Sequence, residues 1–248
     1  MPEPVFFALV FLVGIATGFF DSVLNAGGFV SIPSLVFLGL PPHVAIATDR
    51  FGALGRSSAA FLRYRKEKHI LWRYVPILAA ISLVASLAGA GLLVSVGSAL
   101  PKWAVGVFLL AVLPFLFLKK GIGTIHLEHS RLRKALGLAV AFVIIVFGSF
   151  FGQGVGILVF YALTLFLGFT LIEVLATTTL PGFVYCIASV SVFALGGIIN
   201  YPTGIILLIG MASGGYIGAH TAIKTGNKWL KRLFAAFALA AGLALILL

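Results

Sequence analysis

The sequence predicts an all-α polytopic membrane protein of two inverted-topology repeats, each of about five helical segments that include short or re-entrant helices. Three features carry this prediction. Of the 248 residues 61% are hydrophobic and 9% charged, with a mean hydropathy of +1.19, whereas soluble domains run near half apolar and about a quarter charged. The cations are gathered: five, five and four of the 17 Lys and Arg lie in 63–73, 119–134 and 224–232. The apolar stretches of the first half also return, in order, in the second. Six acidic residues are too few to solvate a globular surface of this size, and 29 Gly suit close helix packing in a bilayer.

The apolar stretches are 5–25, 28–40, 43–63, 74–96, 103–118, 133–151, 154–169, 173–196, 203–222 and 230–248. A helix needs about 20 residues to cross the hydrocarbon core. The stretches 28–40 and 154–169 are therefore short, and each is flanked by Gly and followed by a turn, which reads as a half-helix or one arm of a re-entrant hairpin. Met1-Pro2-Glu3-Pro4 lacks the basic start of a secretory signal, so 5–25 reads as a retained span. The lone Cys186 excludes an internal disulfide and a multi-cysteine metal site.

Short loops rich in Lys and Arg stay cytoplasmic, which places all three basic stretches inside. Anionic lipid headgroups are a natural partner for them. Nucleic acid is not expected, because no aromatic platform or basic domain accompanies the charge. The longest polar loop is about fifteen residues, so the function is expected within a multi-pass protein of the cytoplasmic (inner) membrane.

A shift of 129 residues aligns Gly27 with Gly156, Val30 with Val159, Phe37-Leu38-Gly39 with Phe166-Leu167-Gly168, and Ala47-Thr48 with Ala176-Thr177. With a small drift, Tyr74 meets Tyr201, Ser86 meets Ser213, Gly91 meets Gly218 and Trp103 meets Trp229. Corresponding loops differ in charge: the basic 63–73 answers to the uncharged 196–202, and 96–102 with one Lys answers to 224–232 with four cations. By the positive-inside rule the copies face opposite ways. The expected units are 1–120, a central cytoplasmic loop at 121–132, and 133–248, with both termini outside. Inverted repeats recur in secondary transporters, where similar halves exchange conformations and alternate access.

The stretch GIATGFFDSVLNAGGFVSIPSLVFLGLPPHVAIAT (14–48) resembles the first glycine-rich signature of the TauE/SafE sulfite exporter family, the TSUP permeases. The matching features are Gly27-Gly28, Pro33, Gly39-Leu40-Pro41, Ala47 and Thr48. FFGQGVGILVFYALTLFLGFTLIEVLATT (150–178) is similar to the family's second copy, and 214–234 to its closing segment. Ala162 stands where the repeated pattern would put Pro, and Ala26-Gly27-Gly28 where the family often has three Gly. The resemblance implies carriage of a small inorganic or organic anion such as sulfite, a sulfonate or sulfoacetate, with no cofactor.

Glycine clusters at 27–28 and 152–156 each open a short helix, and a helix start offers free N–H groups and a positive dipole end to anions. Gly27, Gly28, Gly154 and Gly156 are thus candidate substrate-binding positions, with Asn25, Ser31, Thr48, Gln153, Thr177 and Thr178 as hydrogen-bonding neighbours. The competing reading is that these glycines only let helices pack closely. Ionisable residues in apolar segments must face protein or water. Arg50 and Arg56 can neutralise a passing anion or snorkel at the cytoplasmic boundary. Asp21 can accept a proton or pair with Arg50 or Arg56, and Asp49 is the second proton-coupling candidate. Asp49, Arg56 and Arg63 recur every seven residues and share a helix face with Gly52 and Ala60. Glu173 follows a turn and is expected at an interface. The second half answers Asp49-Arg50 with Thr178-Thr179, so charge is expected from the first half and neutral hydrogen bonds from the second.

An enzyme is not expected: Ser213 and His220 lie about 10 Å apart along a helix, too far for nucleophile activation. His43 and His69 lack further ligands at metal spacing. A passive anion channel is the alternative that shares the glycine clusters and arginines.

Overall fold

A computed structural model of the chain describes residues 2–66, 69–112, 127, 129–152 and 155–247, with side chains at 102, 109, 110, 227, 228 and 230–247 excepted. The protein is all-helical over the described residues. Helix α1 (Glu3–Leu24) is followed by the short α2 (Gly28–Phe37), then α3 (Pro42–Tyr64), α4 (Val75–Val96) and α5 (Lys102–Val112). The second half runs α6 (Arg131–Phe151), α7 (Gly156–Ala162) continuing as a π turn over Leu163–Leu167, α8 (Leu171–Thr177), α9 (Thr179–Leu195) and α10 (Tyr201–Leu247), which is broken at Gly226 by φ +70°.

Helices α1, α4, α6 and the Tyr201–Gly226 part of α10 are long and apolar enough to cross a membrane. α3 is as long, but it carries Asp49, Arg50, Arg56 and Arg63. Its charged face must therefore lie against protein. At 1.5 Å per residue α2 spans about 15 Å, half a hydrocarbon core. Gly156–Leu167 is similarly short and turns through 116° into α8. Thr170 caps α8 in a reciprocal pair with Glu173: the Thr170 N–H donates to the Glu173 carboxylate, and the Glu173 N–H to the Thr170 hydroxyl.

The apolar stretch 173–196 does not form one helix; it divides at Thr178. Pro181 explains the division, because it has no N–H to give the Thr177 carbonyl and its ring crowds that carbonyl.

The packing exchanges the halves. α1 packs along α10, as α6 packs along α4; α3 packs on α10, as α9 packs on α4; α3 and α9 pack on each other. Close approach is built into α10 by Gly210, Gly214 and Gly218, one helical turn apart, which face the carbonyls of Phe11, Ile15 and Phe19 on α1. A Cβ at Gly210 would lie 2.6 Å from the Phe11 oxygen.

Two hydrogen bonds repeat the exchange at atomic scale. The Thr48 hydroxyl accepts the Asn200 N–H at 3.1 Å, and the Thr177 hydroxyl accepts the Leu71 N–H at 3.0 Å. Thr48 and Thr177 are repeat equivalents, as are Leu71 and Asn200, so each copy's threonine secures the loop before the other copy's fourth helix. Ser57 on α3 meets Cys186 on α9, its own equivalent, at 3.9 Å between Oγ and Sγ.

Candidate functional site

Each half breaks its chain at the same place. α1 ends at Asn25, held left-handed at φ +56° with its N–H on the Asp21 carbonyl, and Gly27 opens α2. α6 ends at Gly152 with φ +103°, and Gly156 opens α7. The breaks meet: Asn25 Nδ2 donates to the Gly156 carbonyl at 2.9 Å. A Cβ on Gly156 would overlap the Asn25 carbonyl oxygen, so the contact requires glycine there.

A cavity of about 90 Å³ opens beside this meeting point, room for several waters or one small solute. Its polar lining includes Asp21, Asn25, Arg50, Arg56, Ser82, Thr178 and Tyr185. Much of the remaining wall is apolar, from Leu78, Ile145, Val155, Val159, Leu163 and Pro181. Two arginines and one carboxylate thus line the same cavity.

Asp21 makes two contacts. One carboxylate oxygen lies 2.7 Å from Arg56 Nε, and the other accepts the Gly27 N–H at 2.9 Å. Arg56 Nη2 also donates to the Ser57 hydroxyl at 3.1 Å. The ion pair is enclosed, with the two side chains 12% and 3% exposed. Arg50, fully buried, belongs to the other copy's surroundings: Nη2 donates to the Gly148 carbonyl at 2.9 Å, and the guanidinium carbon lies 4.2 Å above the centre of the Tyr185 ring. Such a cation on an aromatic face is stabilised by the ring quadrupole. Arg50 Nε and the Tyr185 hydroxyl are buried without a hydrogen-bond partner among the described residues.

Of the residues expected from sequence, Asn25, Arg50, Arg56, Gly156, Thr178 and Asp21 line the cavity. Gly27 and Gly28 are buried at the start of α2, where the Gly27 N–H is already held by Asp21. Ser31 directs its hydroxyl to the Gly27 carbonyl at 3.4 Å. Thr48 and Thr177 lie off the cavity and use their hydroxyls in the exchanged bonds. Asp49 is buried off the cavity, and neither carboxylate oxygen has a hydrogen-bond partner among the described residues. Gln153 and Gly154 lie outside the described residues. The seven-residue stripe on α3 faces α10: Gly52 packs on Leu207 and Met211, Arg56 against Gly215, and Arg63 donates to His220 at 3.3 Å.

Sequence reasoning missed Tyr185 and Ser82. The repeat offers a signal for the first, since Tyr185 is the equivalent of Arg56 and is a polar tip in an apolar helix.

Residues 10–245 match the profile of the family described as sulfite exporter TauE/SafE. The chain is 28% identical over 225 residues to a "Probable membrane transporter protein" of Haemophilus influenzae, covering 90% of this chain and 88% of the relative. It is 26% identical to "Probable membrane transporter protein YfcA" of Escherichia coli K12, covering 93% and 86%. A third similar chain, "Probable membrane transporter protein ORF9" of Sinorhizobium sp, is 25% identical with 96% and 92% covered. No solved structure matches the chain at a significant level.

Proposed function

The chain belongs to the sulfite exporter TauE/SafE family of membrane transport proteins, and from that premise we propose that it is a secondary transporter of a small anion in the cytoplasmic membrane, working by alternating access with proton coupling. The observation that carries the reading is the cavity at the meeting of two broken helices, lined by Arg50 and Arg56 together with the Asp21 carboxylate. Buried cations in a membrane protein are costly unless paired, and they mark solute pathways.

Arg50 is held by the Tyr185 ring and the Gly148 carbonyl, which fixes its direction before any anion arrives. An oxyanion of the sulfite, sulfonate or sulfoacetate type would take charge-assisted hydrogen bonds from Arg50 and Arg56. Asn25 and Thr178 would add neutral ones. The two copies are read as inverted repeats, 1–120 and 133–248, and their exchanged packing supports rocking of one against the other. Asp21 and Asp49 are the proton-coupling candidates.

Purified protein in liposomes loaded with unlabelled sulfite tests the reading. A carrier accumulates external labelled sulfite transiently by counterflow, and its initial rate saturates. A rate that rises linearly with concentration, without counterflow, would make the protein a passive anion channel instead.

A further inference from the structure

We propose that Asp21 is a tethered competitor of the transported anion: its carboxylate holds the Arg56 guanidinium and the Gly27 N–H, and it yields them to a solute anion when it takes up a proton. The inference rests on the anion-carrier reading above and says how the proton is coupled.

The geometry is that of an oxyanion receptor already engaged by the protein's own side chain. One Asp21 oxygen is 2.7 Å from Arg56 Nε, and the other accepts the N–H of Gly27 at the start of α2. Both side chains line the cavity, so a solute entering it reaches the ion pair directly. While Asp21 is ionised, a second anion must displace a carboxylate whose effective concentration is high because it is attached. Once Asp21 carries a proton, the pair loses its attraction and Arg56 becomes an unpaired buried cation, a costly state that an entering anion relieves.

Charge is conserved through the exchange. The proton goes from water to an Asp21 carboxylate oxygen, and a monoanion takes the place of the carboxylate charge beside Arg56. On release to the opposite side, Asp21 returns its proton to water, re-forms its pair with Arg56 and expels the anion. One proton and one monoanion travel together.

The other ionisable groups near Asp21 are accounted for by element. α2 carries none. α3 presents Asp49, Arg50 and Arg56, and Tyr64, whose hydroxyl donates to the Ser22 carbonyl at 3.0 Å. α10 presents His220, bonded to Arg63, and the exposed Lys224. α8 presents Glu173, engaged with Thr170. Tyr185 and Cys186 come from α9. Among the described residues Arg56 is the group in direct ion-pair contact.

The test is calorimetric binding of methanesulfonate, which keeps one negative charge across the range used, to the purified full-length protein. Wild-type affinity should weaken by about tenfold per pH unit between about pH 5.5 and about pH 7.5, because one proton must bind with each anion. Asp21→Asn should bind at neutral pH at least as tightly as wild type does at the acid end, with a change under about twofold across the range. Glu3→Gln, which removes an exposed acid in the first turn of α1, away from the cavity, should keep the wild-type slope. A flat wild-type profile, weaker binding by Asp21→Asn, a slope lost in Glu3→Gln, or no binding by either protein would overturn the proposal. The wild-type profile needs no variant to fold. Sulfite counterflow is read separately: counterflow with a flat binding profile removes Asp21 as competitor and leaves the carrier, whereas the expected profile without counterflow leaves the site and removes the carrier.

Discussion

The two chain breaks share a backbone plan and differ in chemistry. At the first, Asp21 ties the Gly27 N–H to Arg56, so the helix start is closed by charge. At the second, the position equivalent to Asp21 is Phe150, that of Arg56 is Tyr185, and those of Asp49 and Arg50 are Thr178 and Thr179. There the contact is neutral, the Gly156 carbonyl accepting from Asn25. Matching copies can thus supply one cavity with a charged wall and an uncharged one. Arg50 shows the division most directly: it comes from the first copy, and its carbonyl partner and aromatic support both come from the second.

The largest expected effect comes from removing charge at this shared wall. Arg50→Gln should lower sulfite counterflow by about a hundredfold, since a hydrogen bond from a charged group is worth up to about 3 kcal/mol. Arg131→Gln, at the exposed first residue of α6, should leave the rate within about twofold. Equal losses in the two variants would abolish the distinction between a charged functional wall and ordinary surface cations. Protein recovered in the membrane must be measured alongside, because Arg50 is also buried structure.

The next effect concerns the meeting of the breaks. Gly156→Ala would drive a methyl into the Asn25 carbonyl, and overpacking of this kind costs about 1–3 kcal/mol. Its thermal midpoint in detergent should fall. Gly91→Ala, where a Cβ meets nothing within 4 Å among the described residues, should hold or raise the midpoint, as Ala replaces Gly within a helix. A tolerated Gly156→Ala would mean that the breaks need not touch.

Much of this arrangement was legible in the sequence for identifiable reasons. The helical ladder followed from apolar run length, and the seven-residue spacing placed Arg56 and Arg63 on one face with Gly52, the face that meets α10. Other parts depended on tertiary contact. Sequence left Asp21 with Arg50 or Arg56 as partner, and only the return of α3 beside α1 decides for Arg56. Tyr185 is a single aromatic in an apolar helix, and nothing local announces that Arg50 will lie on its face. The division at Thr178 was signalled by Pro181, but a continuous apolar run obscured it. Thr48 and Thr177 were recognisable as equivalents. Their task was not, because the nearest unsatisfied donor of each is a loop N–H supplied by the opposite copy.

That last pair gives the smallest expected effect and the sharpest check on what the copies hold in common. Thr48→Val and Thr177→Val each remove a hydroxyl acceptor while keeping the branched shape. Each should therefore lower stability by about 1 kcal/mol, the ordinary worth of such a bond, and by amounts equal within about 0.5 kcal/mol. The two sites use separate partners, so the double variant should show the sum of the single losses. Thermal or denaturant unfolding in one detergent measures all three. Unequal single losses would show that the copies differ at their structural joints as well as at the cavity wall, and the exchange relating Leu71 to Asn200 would then be geometric without being energetic.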